Sequence, residues 1–260
     1  MYIALLLFAL VEALTEFLPI SSTAHLIILT WVLRYFGLFL PIFEAWQVFI
    51  QLGAVLALIT YFLPWLRRLV QLAPKIGVSL LPVLVGYAAY SFIRGVLFHN
   101  LLVISLALVF GGVAILWVER QVNSGRLKLG KSMSDLSYKD ALLAGLFQIL
   151  AFVPGVSRSG AVIIGMMLLG YRRKDAVEYS FLLGVPTLFG AGLLDLFKQA
   201  NLILGSAQSV LWSLAGLGLT FLFSLIVIRW FLGYASNKPL TLFGWYRIVL
   251  GGVLLVALVV

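Results

Sequence analysis

The sequence predicts an all-α polytopic membrane protein built as an inverted repeat, each half one re-entrant helix hairpin plus three transmembrane helices, six spans in total. Three observations predict it. Of the 260 residues, 63% are hydrophobic and 10% charged, and the mean hydropathy is +1.14, far outside the range of a soluble domain of this length. Several apolar runs approach the roughly 20 residues that a helix needs to cross about 30 Å of hydrocarbon, and none shows the roughly ten-residue alternation of a β-barrel. The buried-type polar residues gather at two proline-containing breaks that resemble one another.

Charge and cysteine content narrow the class. With no cysteine, disulfides and thiolate metal sites are excluded. The net charge of +9 sits mostly in short connections between apolar runs, which is the positive-inside pattern rather than a nucleic-acid patch. The N-terminal apolar run lacks a basic flank and a small-residue cleavage site, so a removable signal peptide is not expected.

Residues 1 to 18 are predicted as an apolar helix ended by Pro19, which cannot donate a backbone hydrogen bond. A second helix of about 12 residues over 22 to 33 would be roughly 18 Å long, too short to span. The pair reads as a hairpin that enters the membrane and returns. A span follows at 42 to 63, carrying Glu44, Gln47 and Gln51, and Pro64 to Lys75 reads as a connection. Further spans are expected at about 77 to 97 and 101 to 118.

Residues 119 to 140 form the long hydrophilic segment, with Arg120, Arg126, Lys128, Lys131 and Lys139. It divides a single membrane domain into a first repeat, 1 to 118, and a second, 141 to 260. Two short helices at 141 to 153 and 157 to 170 flank Pro154-Gly155-Val156-Ser157-Arg158-Ser159, and spans at 174 to 197, 208 to 232 and 241 to 260 follow. Phe17-Leu-Pro19-Ile-Ser21-Ser22 thus matches Phe152-Val-Pro154-Gly-Val-Ser157-Arg-Ser159. Three spans between equivalent points turn the second copy upside down, as in many transporters. Thirteen basic residues fall on one side, from Arg67 to Lys238, against Arg34, Arg94 and Lys198 on the other. The first side is expected to be cytoplasmic, with both termini outside.

The first break places Glu12, Thr15, Glu16, Ser21, Ser22, Thr23 and His25 in otherwise apolar sequence. Glu12 and Glu16 share a helix face, and the serines begin a second helix with His25 a turn further on. Two helix N-termini at midplane depth would suit an anion, and Arg158 offers a guanidinium for bidentate phosphate binding. Glu12 and Glu16 would hold a hard divalent cation or share a proton, and a serine beside histidine is the minimum for an activated nucleophile. The competing readings are structural: serines as helix caps, His25 as a packing residue, Arg158 as a partner for the carboxylates, Arg247 as an interface anchor. Charge at this depth is costly enough that function is the default.

At these two breaks the sequence resembles the bacterial undecaprenyl-diphosphate phosphatase family, associated with bacitracin resistance. Its first motif, Glu-Gly-x-Thr-Glu-Phe-Leu-Pro-x-Ser-Ser-Thr-Gly-His, is matched from Glu12 to His25 except for Ala13 and Ala24 in place of glycine. Its second, Pro-Gly-x-Ser-Arg-Ser-Gly-Ala-Thr, is matched from Pro154 to Ala161, with Val162 in place of threonine. Tyr246-Arg247 and Ser180-Phe-Leu-Leu are further matches. The resemblance implies hydrolysis of undecaprenyl diphosphate to the monophosphate in the bacterial inner membrane, recycling the carrier lipid of peptidoglycan synthesis. It implies a divalent cation, Mg2+ or Ca2+, on Glu12 and Glu16. The expected catalytic residues are Ser22, His25, Glu12 and Glu16, with Ser22 as nucleophile and His25 as its base. The expected phosphate ligands are Arg158, Ser157, Ser159, Ser21, Thr23 and Arg247. A homodimer is left open. The alternative is a carrier that moves polyprenyl phosphate without hydrolysis, which inverted repeats favour and a serine nucleophile does not.

Overall fold

The computed structural model describes residues 2–38, 42–97 and 100–258. The side chains of Glu44, Gln47, Arg67, Arg68 and Arg94, which entered the sequence reading, lie outside what is described, as does residue His99. Every described element is helical, apart from one isolated parallel bridge between Lys131 and Tyr171. In order these are α1 (Tyr2–Thr15), α2 (Ser22–Tyr35), α3 (Ile42–Phe62), α4 (Leu66–Leu97), α5 (Leu101–Asn123), α6 (Tyr138–Ile149), α7 (Arg158–Leu168), α8 (Arg173–Leu204), α9 (Ala207–Asn237) and α10 (Thr241–Ala257). Single 3-10 turns lie at Leu63–Trp65, Met133–Asp135 and Leu150–Phe152.

The chain is an all-helical, multi-pass membrane protein. Stretches Val70–Tyr87, Leu101–Asn123, Arg173–Leu194 and Ala207–Asn237 are long and apolar enough to cross a bilayer, and Phe49–Trp65 and Thr241–Ala257 are shorter apolar helices. The expected connection from Pro64 to Lys75 is a correction: α4 starts at Leu66 and runs through it, with Pro74 and Pro82 inside the helix. Membrane helices tolerate proline because neighbouring groups re-satisfy the backbone carbonyls it leaves without partners. The first helix also ends earlier than expected, at Thr15, so Phe17 belongs to the break.

The helices gather into two compact units. The first comprises residues 1–17, 22–66 and 184–230. Its core is Ala4, Leu5, Phe8, Leu26, Leu33 and Ile50, backed by Trp212 and Ala215. On α1 the buried stripe Ala4, Leu5, Phe8 continues through Glu12 and Glu16 at helical spacing, so helix periodicity itself carries both carboxylates inward.

The second unit comprises residues 18–21, 67–183 and 231–260. Helices α5 and α10 pack along a small-residue seam. A Cβ on Gly112 would meet the carbonyl oxygen of Gly244 at 2.6 Å, and one on Gly251 would meet that of Ser105 at 2.7 Å. Such close approach is how membrane helices gain packing energy without a hydrophobic drive. Ser79 of α4 donates to the carbonyl of Ala141 and bonds the Tyr179 hydroxyl, tying α4, α6 and α8.

Ion pairs close one end of this unit. Buried Glu119 takes Arg173 on both oxygens and the backbone N–H of Leu240 at 2.8 Å, which fixes the start of α10. Asp140 accepts from the Tyr171 hydroxyl at 2.8 Å and from Lys131 at 3.2 Å. Burial pushes the Asp140 carboxyl up, but these partners outweigh it and hold it below its usual value, while burial and the carboxylate push Tyr171 up. A depressed carboxyl contributes stability above its unfolded value, lost as pH falls through the folded one. Asp140→Asn is therefore expected to lower the melting temperature in detergent at neutral pH, and to remove the part of acid destabilisation that sets in below about 3.8. Melting curves across that pH range check this; a variant that melts like the wild type throughout would dismiss the latch.

Candidate active site

In the first break α1 gives out at Thr15, whose hydroxyl donates back to the carbonyl of Val11 at 2.6 Å. The Glu16 N–H still reaches the Glu12 carbonyl at 2.9 Å, so the carboxylates stay one turn apart. Pro19 then ends helical pairing, and the Ile20 N–H closes a tight turn onto the Leu18 carbonyl at 2.7 Å. Ser21 follows at φ +74° and α2 begins at Ser22.

This reversal turns Ser22 back on α1. Its Oγ donates to Glu16 Oε2 at 2.6 Å. Glu12 is fully buried and Glu16 nearly so, while Thr23 and His25 are half-buried on α2. Spacing along a helix suggested His25 as the partner of Ser22; the fold gives its hydroxyl to Glu16. No spacing rule signals this contact, because it depends on how the chain turns at Pro19.

In the second break the chain passes through Pro154 and Gly155 at φ +98°, where a Cβ would meet the Ile104 carbonyl oxygen at 2.6 Å. Only glycine combines that backbone angle with that approach. Ser157 follows at φ +74° and caps α7 by accepting from the Gly160 N–H at 3.1 Å. Arg158 opens α7, half-buried, and donates from Nη1 to the Ser180 carbonyl at 2.8 Å. Ser159 is buried; its Oγ lies 3.2 Å from Ser157 Oγ and donates to the Leu18 carbonyl at 2.9 Å. The two breaks are therefore matched as Ser21 to Ser157 and Ser22 to Arg158. Each ends in a serine of the same left-handed conformation immediately before a helix, one residue off the match that sequence suggested.

Residues 18–21 belong to the same unit as the second break, and within that unit the Ser159 hydroxyl reaches the Leu18 carbonyl. Arg247, an expected phosphate ligand, is fully buried, and its bonds run to the carbonyls of Ala107, Leu108, Pro19, Gly155 and Val156. Ala13 and Ala24, at the two motif departures, are buried within α1 and α2, where alanine is at home. Val162 is fully buried in α7. Among the described residues no group of three or more His, Cys, Asp or Glu could hold a metal ion. The Glu12 and Glu16 pair is the oxygen-donor set at the break.

Comparison with known proteins fits these two breaks. Residues 5–253 match the family described as Bacitracin resistance protein BacA. The chain belongs to this family. A relative from Methylibium petroleiphilum, named undecaprenyl-diphosphatase, is 40% identical over 95% of this chain and 92% of its own. Relatives of the same name from Cereibacter sphaeroides and Aquifex aeolicus are 38% and 37% identical, over 97% and 93% of this chain and 95% and 93% of their own. The family match thus takes in both breaks and Arg247.

Proposed function

We propose that this protein hydrolyses undecaprenyl diphosphate to undecaprenyl phosphate and inorganic phosphate, and so returns the carrier lipid to cell-wall synthesis. The observation that carries the reading is the 2.6 Å bond from Ser22 to Glu16, a serine with its proton already directed at a buried carboxylate. A serine nucleophile needs such a base. Transport alone needs none, and the relatives' name favours hydrolysis over the carrier alternative.

In this mechanism Ser22 Oγ attacks the terminal phosphorus as Glu16 takes its proton. The bond from that phosphorus to the bridging oxygen breaks, and undecaprenyl phosphate leaves with the electron pair. Water then attacks the phosphoserine as His25 accepts its proton; the Oγ–P bond breaks, Glu16 returns its proton to Ser22 Oγ, His25 passes its own to the released phosphate, and inorganic phosphate and free Ser22 result. His25 takes this second role because the Ser22 proton is committed to Glu16. Arg158, Ser21 and Thr23 are the phosphate ligands at the two helix starts, where N–H groups and the positive dipole end favour an anion. Ser157 and Ser159 hold the second start in shape.

Two enclosed carboxylates, with no third acidic or imidazole ligand grouped with them among the described residues, fit a hard ion that keeps water and substrate oxygens in its shell. Glu12 and the Glu16 oxygen that does not accept from Ser22 would hold Mg2+ or Ca2+, which when bound would neutralise diphosphate charge. Purified protein with lipid diphosphate is expected to release phosphate, and excess chelator to abolish release. Glu16→Gln is expected to form no phosphoenzyme, and His25→Ala to accumulate it, by acid-quenched labelling with radioactive substrate. Phosphoenzyme formation in Ser22→Ala at the wild-type rate would remove the nucleophile from the scheme.

Arg158 sits at the α7 start with one nitrogen anchored on the Ser180 carbonyl, which orients the guanidinium plane. Lysine cannot reproduce that fork. Arg158→Lys is expected to lose about a hundredfold in turnover with folding intact, on the scale of a lost transition-state donor. Near-normal phosphate release by the lysine variant would speak against a planar contact.

The topology we propose has α1–α2 and α6–α7 as re-entrant hairpins in an inverted repeat. At 14, 14, 12 and 11 residues these helices fall short of a bilayer. Helices α3, α4, α5, α8, α9 and α10 are the six spans. The protein lies in the inner membrane with residues 119–140 in the cytoplasm and the site opening outward. A cysteine at Ser124 is expected to react with an impermeant reagent only after the cells are opened; labelling of intact spheroplasts would invert the orientation.

A further inference from the structure

Among the described residues Arg247 is the largest fully buried side chain. An arginine carries five N–H donors in a rigid plane, and here each has a backbone carbonyl. Nε donates to Leu108 at 3.3 Å. One Nη donates to Pro19 at 3.0 Å and Val156 at 2.9 Å, the other to Ala107 at 3.0 Å and Gly155 at 2.9 Å. Three of the five carbonyls belong to the two breaks, where no helical N–H follows to receive them. The other two lie on α5, beside Gly111 and Gly112. A Cβ at Gly111 would run into the guanidinium itself. The gap that glycine leaves on α5, and the close seam with Gly244 on α10, are what let the side chain lie there.

We infer that Arg247 is a positioning residue, a clamp that sets the two breaks in register through their carbonyls, and not a ligand of the substrate phosphate. The geometry is specific to that role. The Pro19 carbonyl lies one residue before the Ile20–Ser21 peptide, and the Val156 carbonyl belongs to the peptide that enters Ser157. Both serines stand at φ +74°, so one guanidinium fixes the approach to both strained positions. A phosphate would have to displace carbonyls that have no other donor within the breaks. Lysine, with three donors around a point charge, leaves carbonyls unsatisfied and cannot span the same plane.

The kinetic arm of the test rests on the hydrolase reading given above; the exchange arm does not. Hydrogen exchange by mass spectrometry is measured on wild-type and Arg247→Lys protein in detergent, with phosphate release from lipid diphosphate in parallel. The clamp predicts faster exchange in segments 18–22 and 154–160 together, with the Glu119–Arg173 end of the unit unchanged. Turnover is expected to fall about a hundredfold, as for a small misplacement of reacting groups, while KM stays within roughly threefold. Unchanged exchange at both breaks with a raised KM would make Arg247 a phosphate ligand and overturn the inference. A change at one break alone would overturn the shared clamp. Should Arg247→Lys fail to fold, Gly111→Ala, which pushes the guanidinium aside with its charge intact, is expected to give the same paired exchange, and unchanged breaks there would equally overturn it. If the wild type releases no phosphate, the hydrolase reading fails while the exchange result still decides the clamp.

Discussion

The interaction on which the second unit depends is one cation shared among five carbonyl oxygens. Interrupting a helix inside a membrane leaves carbonyls with no N–H to receive, and water is not at hand to replace it. Burying a guanidinium costs several kcal/mol after relaxation unless its donors are met. At Arg247 each problem answers the other: hydrogen bonds to a charged group contribute about 1.5–3 kcal/mol apiece. No carboxylate takes part in these five bonds. A carboxylate would neutralise the charge but would satisfy none of the carbonyls.

That arrangement bears on the strain next to it. A non-glycine residue in the left-handed region costs on the order of 1–3 kcal/mol and persists only where its surroundings over-determine it. Ser21 and Ser157 both pay that cost at the same angle, each between a carbonyl-rich break and the first turn of a helix. Ser157 is held from the helix side by the Gly160 N–H. In the first unit the hydroxyl of Ser22, the next residue after Ser21, meets Glu16. Backbone strain and side-chain chemistry are thus adjacent in sequence at both breaks.

Much of this was legible in the sequence, and the reason is periodicity. Glu12 and Glu16 continue the apolar stripe of Leu5 and Phe8, so their burial follows from spacing alone. The breaks were legible from Pro19 and Pro154, and the cap at Ser157 from its place before an apolar run. What sequence could not carry is contact with the backbone. Every residue has a carbonyl, so nothing in the letters marks Pro19, Gly155 or Val156 as acceptors for Arg247, and a buried arginine beside a phosphate motif reads as a phosphate ligand. Helical spacing likewise sees the one turn along α2 from Ser22 to His25 and not the contact of Ser22 with Glu16. Proline misled at Pro74, where α4 continues because a membrane helix has neighbours to absorb the defect.

Groups that touch substrate are distinct from the group that holds them in place, and a structure with bound substrate analogue separates the two. The protein should be solved with a non-hydrolysable lipid diphosphate, a methylene bridging the two phosphorus atoms, in the presence of Mg2+. The terminal phosphorus is expected about 3–3.5 Å from Ser22 Oγ, in near-attack geometry, with Arg158 on a phosphate oxygen and Arg247 still on its five carbonyls. A phosphate oxygen bound to Arg247, with the Pro19 and Val156 carbonyls released, would contradict that distinction.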